Sequence, residues 1–214
     1  MVKSSREPLP PKRERTRRQL IDAAIRVFAE KGVANTSIQE IAVAAGVANG
    51  TFYNHFPTKE AVMEAVAIAA AQGLSERIDA SYGHITDAAE RMAIGNRRYV
   101  GLAIEHPEWA RMMMDVVVIS PELIEVTASY AGEDLLLGIR QGRFRVPNQL
   151  AGMNAIIGTC SGAMRAAIIG PVPKNHAQAT ATVVLRALGM DFDEAAEIAR
   201  RPLPPMPGGL LPQN

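Results

Sequence analysis

The sequence predicts an all-α protein, with a small N-terminal domain of short helices followed by a larger helical domain. Apolar residues recur at helical spacing along the chain, and no segment shows the alternation of a half-buried strand. Glycines and prolines divide this pattern into segments that suit helices of roughly 8 to 20 residues. A capping-box sequence near residue 37 also marks a helix start.

The first helix is predicted over residues 14–31, because Leu20, Val27 and Phe28 share one face and Gly32 suits a left-handed C-cap. The preceding residues contain three prolines and predict a disordered arm over residues 1–13. The arm is not expected to contribute to the fold.

A helix-turn-helix is predicted next. Its first helix begins at Thr36 or Ser37, since both precede a Gln or Glu by three residues as a capping box requires. That helix stops at Gly46, Val47 fills the angle of the turn, and a very short helix follows over about residues 48–55. A steep crossing of two short helices is the geometry of a DNA-binding motif.

A fourth helix opens at Thr58, after Pro57, and is long enough to connect the N-terminal unit to the rest of the chain. The tail at residues 202–214 is rich in proline and glycine and is predicted to be disordered. The remaining helices are predicted over about 85–105, 108–119, 122–142, 149–169 and 174–189, with a short extension over 193–200.

Charge is unevenly distributed along a chain whose formal net charge is only +1. The first 20 residues contain seven Lys and Arg residues but two Glu residues, a local charge of +5, and the remainder carries −4. Lys and Arg contacts with phosphates release condensed counterions, which favours polyanion binding. The segment is interpreted either as an arm that binds a polyanion or as a solvated, disordered tail.

The segments TSIQEIA, residues 36–42, and AGVANGTFYNHFPTKE, residues 45–60, resemble the DNA-binding signature of the TetR family of transcriptional regulators. The resemblance implies a homodimeric, repressor-type regulator that a small-molecule effector releases from a double-stranded DNA operator. It also implies a DNA-binding domain at residues 14–60 and an effector-binding and dimerisation domain at residues 61–201.

The resemblance further assigns DNA contacts by position. Thr36 or Ser37 would contact a phosphate at the start of the second helix, where free backbone N–H groups also meet an anion. Phosphates would also be contacted by Tyr53, His55 and Lys59, and bases by Asn49, Gly50, Thr51 and Asn54.

One departure from the family pattern affects these assignments. The family often has Ser and Lys where this chain has Ala48 and Asn49. Loss of the Ser cap costs about 1 kcal/mol unless Asn49 replaces it as the cap, and a capping Asn49 would be less available to a base.

Two glycine-containing helices, 149–169 and 174–189, are predicted to form the dimer interface, with packing inside one chain as the alternative. In the resembled family the last two long helices form a four-helix bundle with the partner. The residues expected at this interface are Gly152, Ile156, Ile157, Gly158, Gly162, Ala163, Val183, Val184 and Leu188.

Large, adaptable side chains between residues 85 and 142 predict a pocket for a largely hydrophobic effector, since methionine accommodates irregular ligands. Ordinary core packing is the alternative for each one. The expected ligand-binding residues are Tyr99, Trp109, Met112, Met113, Tyr130 and Arg165, the last as a partner for a carboxylate.

Two other functions are alternatives. An enzyme with Cys160 as nucleophile and His176 as base is disfavoured, because Cys160 lies in an apolar helix without a visible third partner. An effector-independent architectural DNA-binding protein is the second alternative. No cofactor or metal is expected, and the single cysteine together with the absence of an apolar leader predicts a cytoplasmic protein.

Overall fold

The structure, a computed structural model, describes residues 11–206, and within this range it is all-helical, as the sequence predicts. The helices are α1 Lys12–Lys31, α2 Ile38–Ala44, α3 Asn49–Tyr53, α4 Lys59–Ser81, α5 Ala88–Glu105, α6 Pro107–Val117, α7 Pro121–Arg140, α8 Gln149–Ile169, α9 His176–Ala187 and α10 Phe192–Arg200.

The chain forms two compact units that divide between Val66 and Ala67. This division lies within α4, about two turns after the domain boundary expected at residues 60 and 61. We call the part before it the N-terminal unit and the part after it the C-terminal unit.

The N-terminal unit has a core built on α1. Leu20, Ala24 and Phe28 lie on the inner face of α1, and Ile41 of α2 and Phe52 of α3 are fully buried in the same unit. Packing of this apolar face stabilises the short helices, because an isolated five-residue α3 would not form in water.

The C-terminal unit is organised around α5, which packs against α7, α8, α9 and α10. Its main core contains Met92, Leu135, Ile156, Val184 and Ile198, all of them buried. A second cluster forms where Leu74 and Ile78 of α4 meet Leu102 of α5.

Polar caps and prolines set the helix boundaries of this unit. Asp87, Ser120, Asn148 and Asp191 each accept a hydrogen bond from a backbone N–H in the first turn of the helix that follows. Pro107 and Pro121 are the first residues of α6 and α7, where the missing N–H costs no helical hydrogen bond. Asp87 explains why α5 begins three residues later than predicted.

Both predicted disordered ends need correction where the structure describes them. Pro11 is the N-cap of α1 and its carbonyl accepts from the Arg15 N–H, so Lys12 and Arg13 are helical rather than part of an arm. The rest of the arm, residues 1–10, lies outside the described residues.

The predicted tail is wrong for residues 202–206, which are not helical but pack against the C-terminal unit. Leu203 and Met206 lie on the cluster around Leu74 and Leu102. The Arg98 side chain donates to the carbonyl of Pro204. Extended, proline-rich chain can therefore add to a core when its apolar side chains find a surface. Residues 207–214 of the predicted tail lie outside the described residues.

Candidate nucleic-acid interface and ligand cavity

The turn between α2 and α3 depends on Gly46, whose φ of 66° lies in the left-handed region. The Val47 N–H donates to the Ala42 carbonyl, which closes the C-terminus of α2. The Gln19 amide donates to the Ala45 carbonyl over 2.6 Å and ties α1 to this turn. Sequence reasoning did not identify Gln19, because nothing in the local pattern shows which α1 residue faces the turn.

Two aromatic residues fix the orientation of α3. Phe52 is fully buried, Phe56 is 2% exposed, and their ring centroids are 5.8 Å apart. The Arg17 guanidinium lies 5.1 Å from the centroid of the Phe56 ring, within cation–π range.

The opposite face of α3 is open to solvent. Asn49, Gly50 and Asn54 are exposed, and Tyr53 is 51% exposed although it is a large aromatic residue. Thr51 and His55 are half-buried. Of the residues expected at DNA on or next to α3, Asn49, Gly50, Tyr53 and Asn54 are therefore accessible, while Thr51 and His55 are less so.

The structure shows whether Asn49 replaces the missing Ser as the N-cap of α3. Ala48 is the N-cap of α3 and provides no side-chain hydrogen bond, while Asn49 is the first residue of the helix. Asn49 is therefore not the cap, and its exposed amide is available to a ligand.

Thr36 and Ser37 have different environments. Thr36 is 3% exposed and its hydroxyl donates to the Gly32 carbonyl, so this residue holds the end of α1 to the start of α2. Ser37 is exposed and is the N-cap of α2, in a complete capping box with Glu40. Burial of Thr36 leaves Ser37 as the exposed hydroxyl of the pair, and that hydroxyl donates to Glu40 Oε2 over 2.9 Å.

The capping box carries an ion pair. Lys31 Nζ lies 2.6 Å from Glu40 Oε1. This hydrogen bond is the main cause that lowers the pKa of Glu40 to about 2, and the backbone N–H of Ser37 lowers it further. Glu40 is therefore ionised at neutral pH, with Lys31 opposing its charge.

Lys59 and the N-terminal half of α1 supply basic side chains to the N-terminal unit. Lys59 Nζ lies 3.4 Å from the Ala34 carbonyl, a long contact that leaves its other N–H donors for a phosphate. The N-terminal half of α1 adds exposed Lys12, Arg13, Arg15, Arg17 and Arg18. Val43 of α2 is 72% exposed, an apolar surface residue that the sequence did not single out.

A separate cavity of about 120 Å³ lies inside the C-terminal unit, lined by residues of α4, α5, α6, α7 and α8. Three of the six residues expected at an effector line it: Tyr99, Met113 and Tyr130. Met114 and Met164 also line it, and its surface is mainly apolar.

The other three expected residues do not line this cavity. Trp109 packs in a cluster with Val100 and Met164, its ring centroid 6.3 Å from that of Tyr99. Met112 is buried, and Arg165 is exposed on α8. Sequence could not separate Met112 from Met113, because adjacent helical residues differ by about 100° in direction and the phase of α6 depends on its neighbours.

A polar cluster in the cavity wall was missed by sequence reasoning. The Tyr82 hydroxyl donates to Asp134 Oδ2 over 3.1 Å, and Arg91 forms ion pairs of 2.9 Å with both Asp134 and Asp79. Burial raises the pKa of Asp134 to about 6, even though Arg91 opposes the shift. The available signal was Asp134 itself, an acidic residue beside the apolar stretch 135–137.

Two further polar groups line the cavity. The hydroxyls of Ser75 and Tyr99 are 2.8 Å apart and hydrogen-bonded. Asn96 is 5% exposed, and its Nδ2 donates to the Met92 carbonyl over 3.0 Å.

Cys160 and His176, the pair considered for an enzyme, have separate environments. Burial raises the pKa of Cys160 to about 12, so its thiol is neutral at ordinary pH. His176 Nε2 contacts the Ala163 carbonyl at 3.1 Å. Cys160 lines the cavity as a small apolar group.

The surface of α8 and α9 corrects part of the expected interface. Ile156, Val184 and Leu188 are buried within the chain, and a methyl group added at Gly152 would contact Leu135. A different face is exposed: Gly158 and Gly162 have open space beside them, and three large apolar residues are mostly exposed, namely Leu150 (70%), Ile169 (79%) and Val183 (54%).

Within residues 11–206, no His, Cys, Asp and Glu side chains cluster in a way that could hold a metal ion. No helix in the same range combines the length and apolar character that crossing a bilayer requires.

Comparison with known proteins gives two family matches. Residues 20–66 match the family described as bacterial regulatory proteins, tetR family. Residues 87–201, more than half of the chain, match the tetracyclin repressor-like C-terminal domain.

Curated relatives align over short stretches of the chain. The chain is 48% identical over 46 residues to the HTH-type transcriptional regulator AcrR of Shigella flexneri, which is 22% of this chain and 21% of that protein. It is 40% identical over 50 residues to the HTH-type transcriptional repressor KstR2 of Rhodococcus jostii strain RHA1, 23% of this chain and 24% of that protein. The chain thus matches about a quarter or less of these relatives' length.

Solved structures align over nearly the whole chain. The crystal structure of RolR in complex with resorcinol has a TM-score of 0.79 and 33% identity, covering 91% of this chain and 98% of that one. A TetR-family transcriptional regulator from Pectobacterium atrosepticum has a TM-score of 0.64 and 25% identity, covering 85% of this chain and 94% of that one. Taken with the two family matches, the exposed α3 and the cavity, these alignments show that the chain belongs to the TetR family of DNA-binding transcriptional regulators.

Proposed function

We propose that this protein is a homodimeric repressor that binds a specific DNA operator through α3 and is released by a small, mainly apolar effector. The observation that carries the proposal is the two-sided character of α3. Phe52 and Phe56 anchor one side, and the other side presents Asn49, Gly50 and Tyr53 to solvent. DNA is in the cytoplasm of a bacterial cell, and we place the protein there.

Base contacts are assigned to the start of α3. The Asn49 amide can pair bidentately with adenine, and Gly50 allows the backbone to approach a base edge because no side chain intervenes. Thr51 of α3 and Asn54, the C-cap residue of that helix, complete this set.

Phosphate contacts are assigned around this set. The Tyr53 hydroxyl, the His55 ring and the Lys59 ammonium group are donors on or just after α3. Ser37 replaces Thr36 at the start of α2, because the Thr36 hydroxyl is buried.

A dimer follows from the size of the reading surface and from α8. One helix-turn-helix contacts few base pairs, so specific binding requires two copies spaced about one helical turn, or a multiple of it, along the duplex. The exposed face of α8 with Leu150, Gly158, Gly162 and Ile169, together with Val183 of α9, offers close helix approach and apolar area for a second copy.

The cavity in the C-terminal unit is proposed as the effector site. An apolar cavity of roughly 150 Å³ holds a benzene molecule in other proteins, so about 120 Å³ suits a single ring. Resorcinol, the ligand in the RolR structure, is a single ring that carries two hydroxyl groups. Ser75 and Ile78 of α4 line the cavity, so a bound ring can shift α4 and change the spacing of the two copies of α3.

Tyr53→Ala tests the DNA-binding part of the proposal, with Phe192→Ala as the control because Phe192 is a 59% exposed aromatic residue of the C-terminal unit. We expect Tyr53→Ala to weaken binding to DNA from around the protein's own gene about tenfold, while Phe192→Ala binds like wild type. Equal loss in both variants, or in neither, would contradict the assignment.

The dimer has its own test. Gly158→Arg places a charged side chain on the open face of α8, where a Cβ at position 158 meets nothing within 4 Å. We expect a monomer by analytical ultracentrifugation with an unchanged helical circular dichroism spectrum. A Gly158→Arg dimer would contradict the proposed interface. The matched control is Gly101→Arg on α5, which also has open space beside it and lies outside that interface.

A further inference from the structure

Asn96 is a buried polar residue in the wall of the cavity. It is 5% exposed on α5, and its neighbours Met92 and Tyr99 on the same helix line the cavity with it. A buried amide in a mainly apolar surface is unfavourable unless hydrogen bonds satisfy both of its ends.

The orientation of the Asn96 amide follows from the one bond it makes. Its Nδ2 lies 3.0 Å from the Met92 carbonyl oxygen, which can only accept a hydrogen bond. The amide nitrogen must therefore be on that side, and the oxygen occupies the other position.

Asn96 Oδ1 is buried, and no donor among residues 11–206 reaches it. Leaving a buried acceptor unpaired destabilises a fold, and more than nine buried polar groups in ten have a partner. Asn96 lines the cavity, and a ligand donor there is the partner that we assign to Oδ1.

The charges of the wall disfavour anionic ligands. Asp79, Glu133 and Asp134 face a single cation, Arg91, within the lining. Arg91 already forms ion pairs with Asp79 and Asp134. An anionic effector such as a carboxylate would therefore enter a surface of excess negative charge.

The aromatic and sulfur side chains of the wall indicate that the main part of the ligand is an aromatic ring. Tyr99, Tyr130, Met113 and Met164 line the cavity, and thioether sulfurs make favourable contacts with ring edges. The volume of about 120 Å³ suits one ring with small substituents.

We propose that Asn96 Oδ1 accepts a hydrogen bond from a hydroxyl or N–H group of the effector, and that the effector is a neutral single-ring aromatic compound of the phenol class. This inference rests on the proposed effector site. It adds Asn96 as the residue through which the site prefers a ring with a hydrogen-bond donor to a hydrocarbon, an ether or an anion.

Four probes of similar size test the inference: 3-methylphenol, 3-methylanisole, m-xylene and 3-methylbenzoate. Isothermal titration calorimetry measures their binding to the full-length wild type, to Asn96→Leu and to Asn175→Leu. Asn175 is the matched control, since it is exposed and makes no side-chain cap bond at the start of α9.

Wild type and Asn175→Leu are expected to bind 3-methylphenol at least about tenfold more tightly than 3-methylanisole or m-xylene, and to bind 3-methylbenzoate most weakly. Asn96→Leu removes the acceptor at similar side-chain volume. It is expected to bind 3-methylphenol and m-xylene within about threefold of each other. Asn96→Ala is measured in parallel, and thermal unfolding shows which variant is folded.

Two results would overturn the inference. A phenol preference that persists in a folded Asn96 variant would assign the donor to another acceptor, such as Asp134. Wild type that binds all four probes alike would show that the wall does not select donors. Both results leave the cavity as the effector site, whereas wild type that binds none of the four overturns the inference and the proposed site together.

Discussion

Asp134 and Asn96 show how single polar side chains give the C-terminal unit its chemical character. Each is less than 6% exposed and lines the same cavity. Asp134 has partners in Tyr82 and Arg91, but its burial still raises its pKa to about 6. Sequence periodicity locates such residues on a helix but does not reveal their partners, which for Asp134 are Tyr82, just after α4, and Arg91 of α5.

The raised pKa of Asp134 predicts a pH-dependent stability. Between pH 4 and 6 the folded state retains a proton that the unfolded state has lost, so ionisation of Asp134 lowers the free energy of unfolding as pH rises through this window. Relative to Asp134→Asn, the free energy of unfolding of the wild type is expected to fall by on the order of 2 to 3 kcal/mol between pH 4 and 6. Above pH 7 the difference in free energy of unfolding between the two proteins is expected to stay constant. Urea denaturation at a series of pH values measures this.

Asp115→Asn is the control, because Asp115 is an exposed aspartate on α6. Its stability is expected to follow wild type at every pH. A wild-type curve parallel to that of Asp134→Asn from pH 4 to 8 would show that Asp134 has the same affinity for protons in both states.

At the scale of elements, the sequence predicts helices best where local chemistry sets their ends. Ser37 and Asn148 cap α2 and α8 where the pattern places helix starts, and Gly46 ends α2 in the left-handed conformation. The phase of α6 was not predictable, since three consecutive methionines give no preferred face. Tertiary contacts determined that Met113 and Met114 face the cavity.

Two glycines four residues apart are expected to respond to alanine with opposite signs. Gly46→Ala forces a side chain into a φ of 66° and should lower the free energy of unfolding by about 1 to 2 kcal/mol. Gly50→Ala lies in α3 with open space beside it and should raise stability by about 0.5 to 1 kcal/mol. Chemical denaturation compares them, and destabilisation by Gly50→Ala would contradict the open surface described for α3.

Gly50→Ala also separates stability from DNA binding. Its methyl group would occupy the space through which the backbone approaches a base, so operator affinity is expected to fall although the protein is more stable. Electrophoretic mobility shift measures the affinity. Unchanged binding would remove Gly50 from the contact surface.

A second pair of glycines tests the packing of α7. A methyl group at Gly138 would lie 2.1 Å from a ring carbon of Phe144, whereas one at Gly132 would make an ordinary contact with Met153 at 3.9 Å. Gly138→Ala is expected to lower the free energy of unfolding by about 1 to 3 kcal/mol and Gly132→Ala to leave it unchanged or higher. Equal melting temperatures for the two variants would contradict this packing.

At the scale of the whole molecule, the sequence predicted the class and the two-part organisation but not the contribution of residues 202–206. Proline and glycine content predicted a tail there, because composition does not show which surface an extended segment can cover. The structure packs Leu203 and Met206 on a cluster that includes Leu74 of α4. Composition alone therefore underestimates short segments that add to a core formed by other parts of the chain.

Packing of Leu203 predicts a measurable cost when it is removed. Leu203→Ala is expected to lower the free energy of unfolding by about 1 kcal/mol, less than for a fully buried leucine because Leu203 is only partly buried. Pro205→Ala is the control, since Pro205 is exposed. Identical thermal unfolding of the two variants and wild type would show that residues 202–206 do not stabilise the fold.

The proposed function requires two copies of α3 to contact specific DNA sequences. Selection of bound duplexes from a random pool by the purified full-length protein tests it for any operator sequence. We expect enrichment of an inverted repeat whose half-sites lie about one helical turn, or a multiple of it, apart. Recovery of unrelated sequences that all bind with equal, salt-sensitive affinity would contradict the claim and indicate an architectural DNA-binding protein.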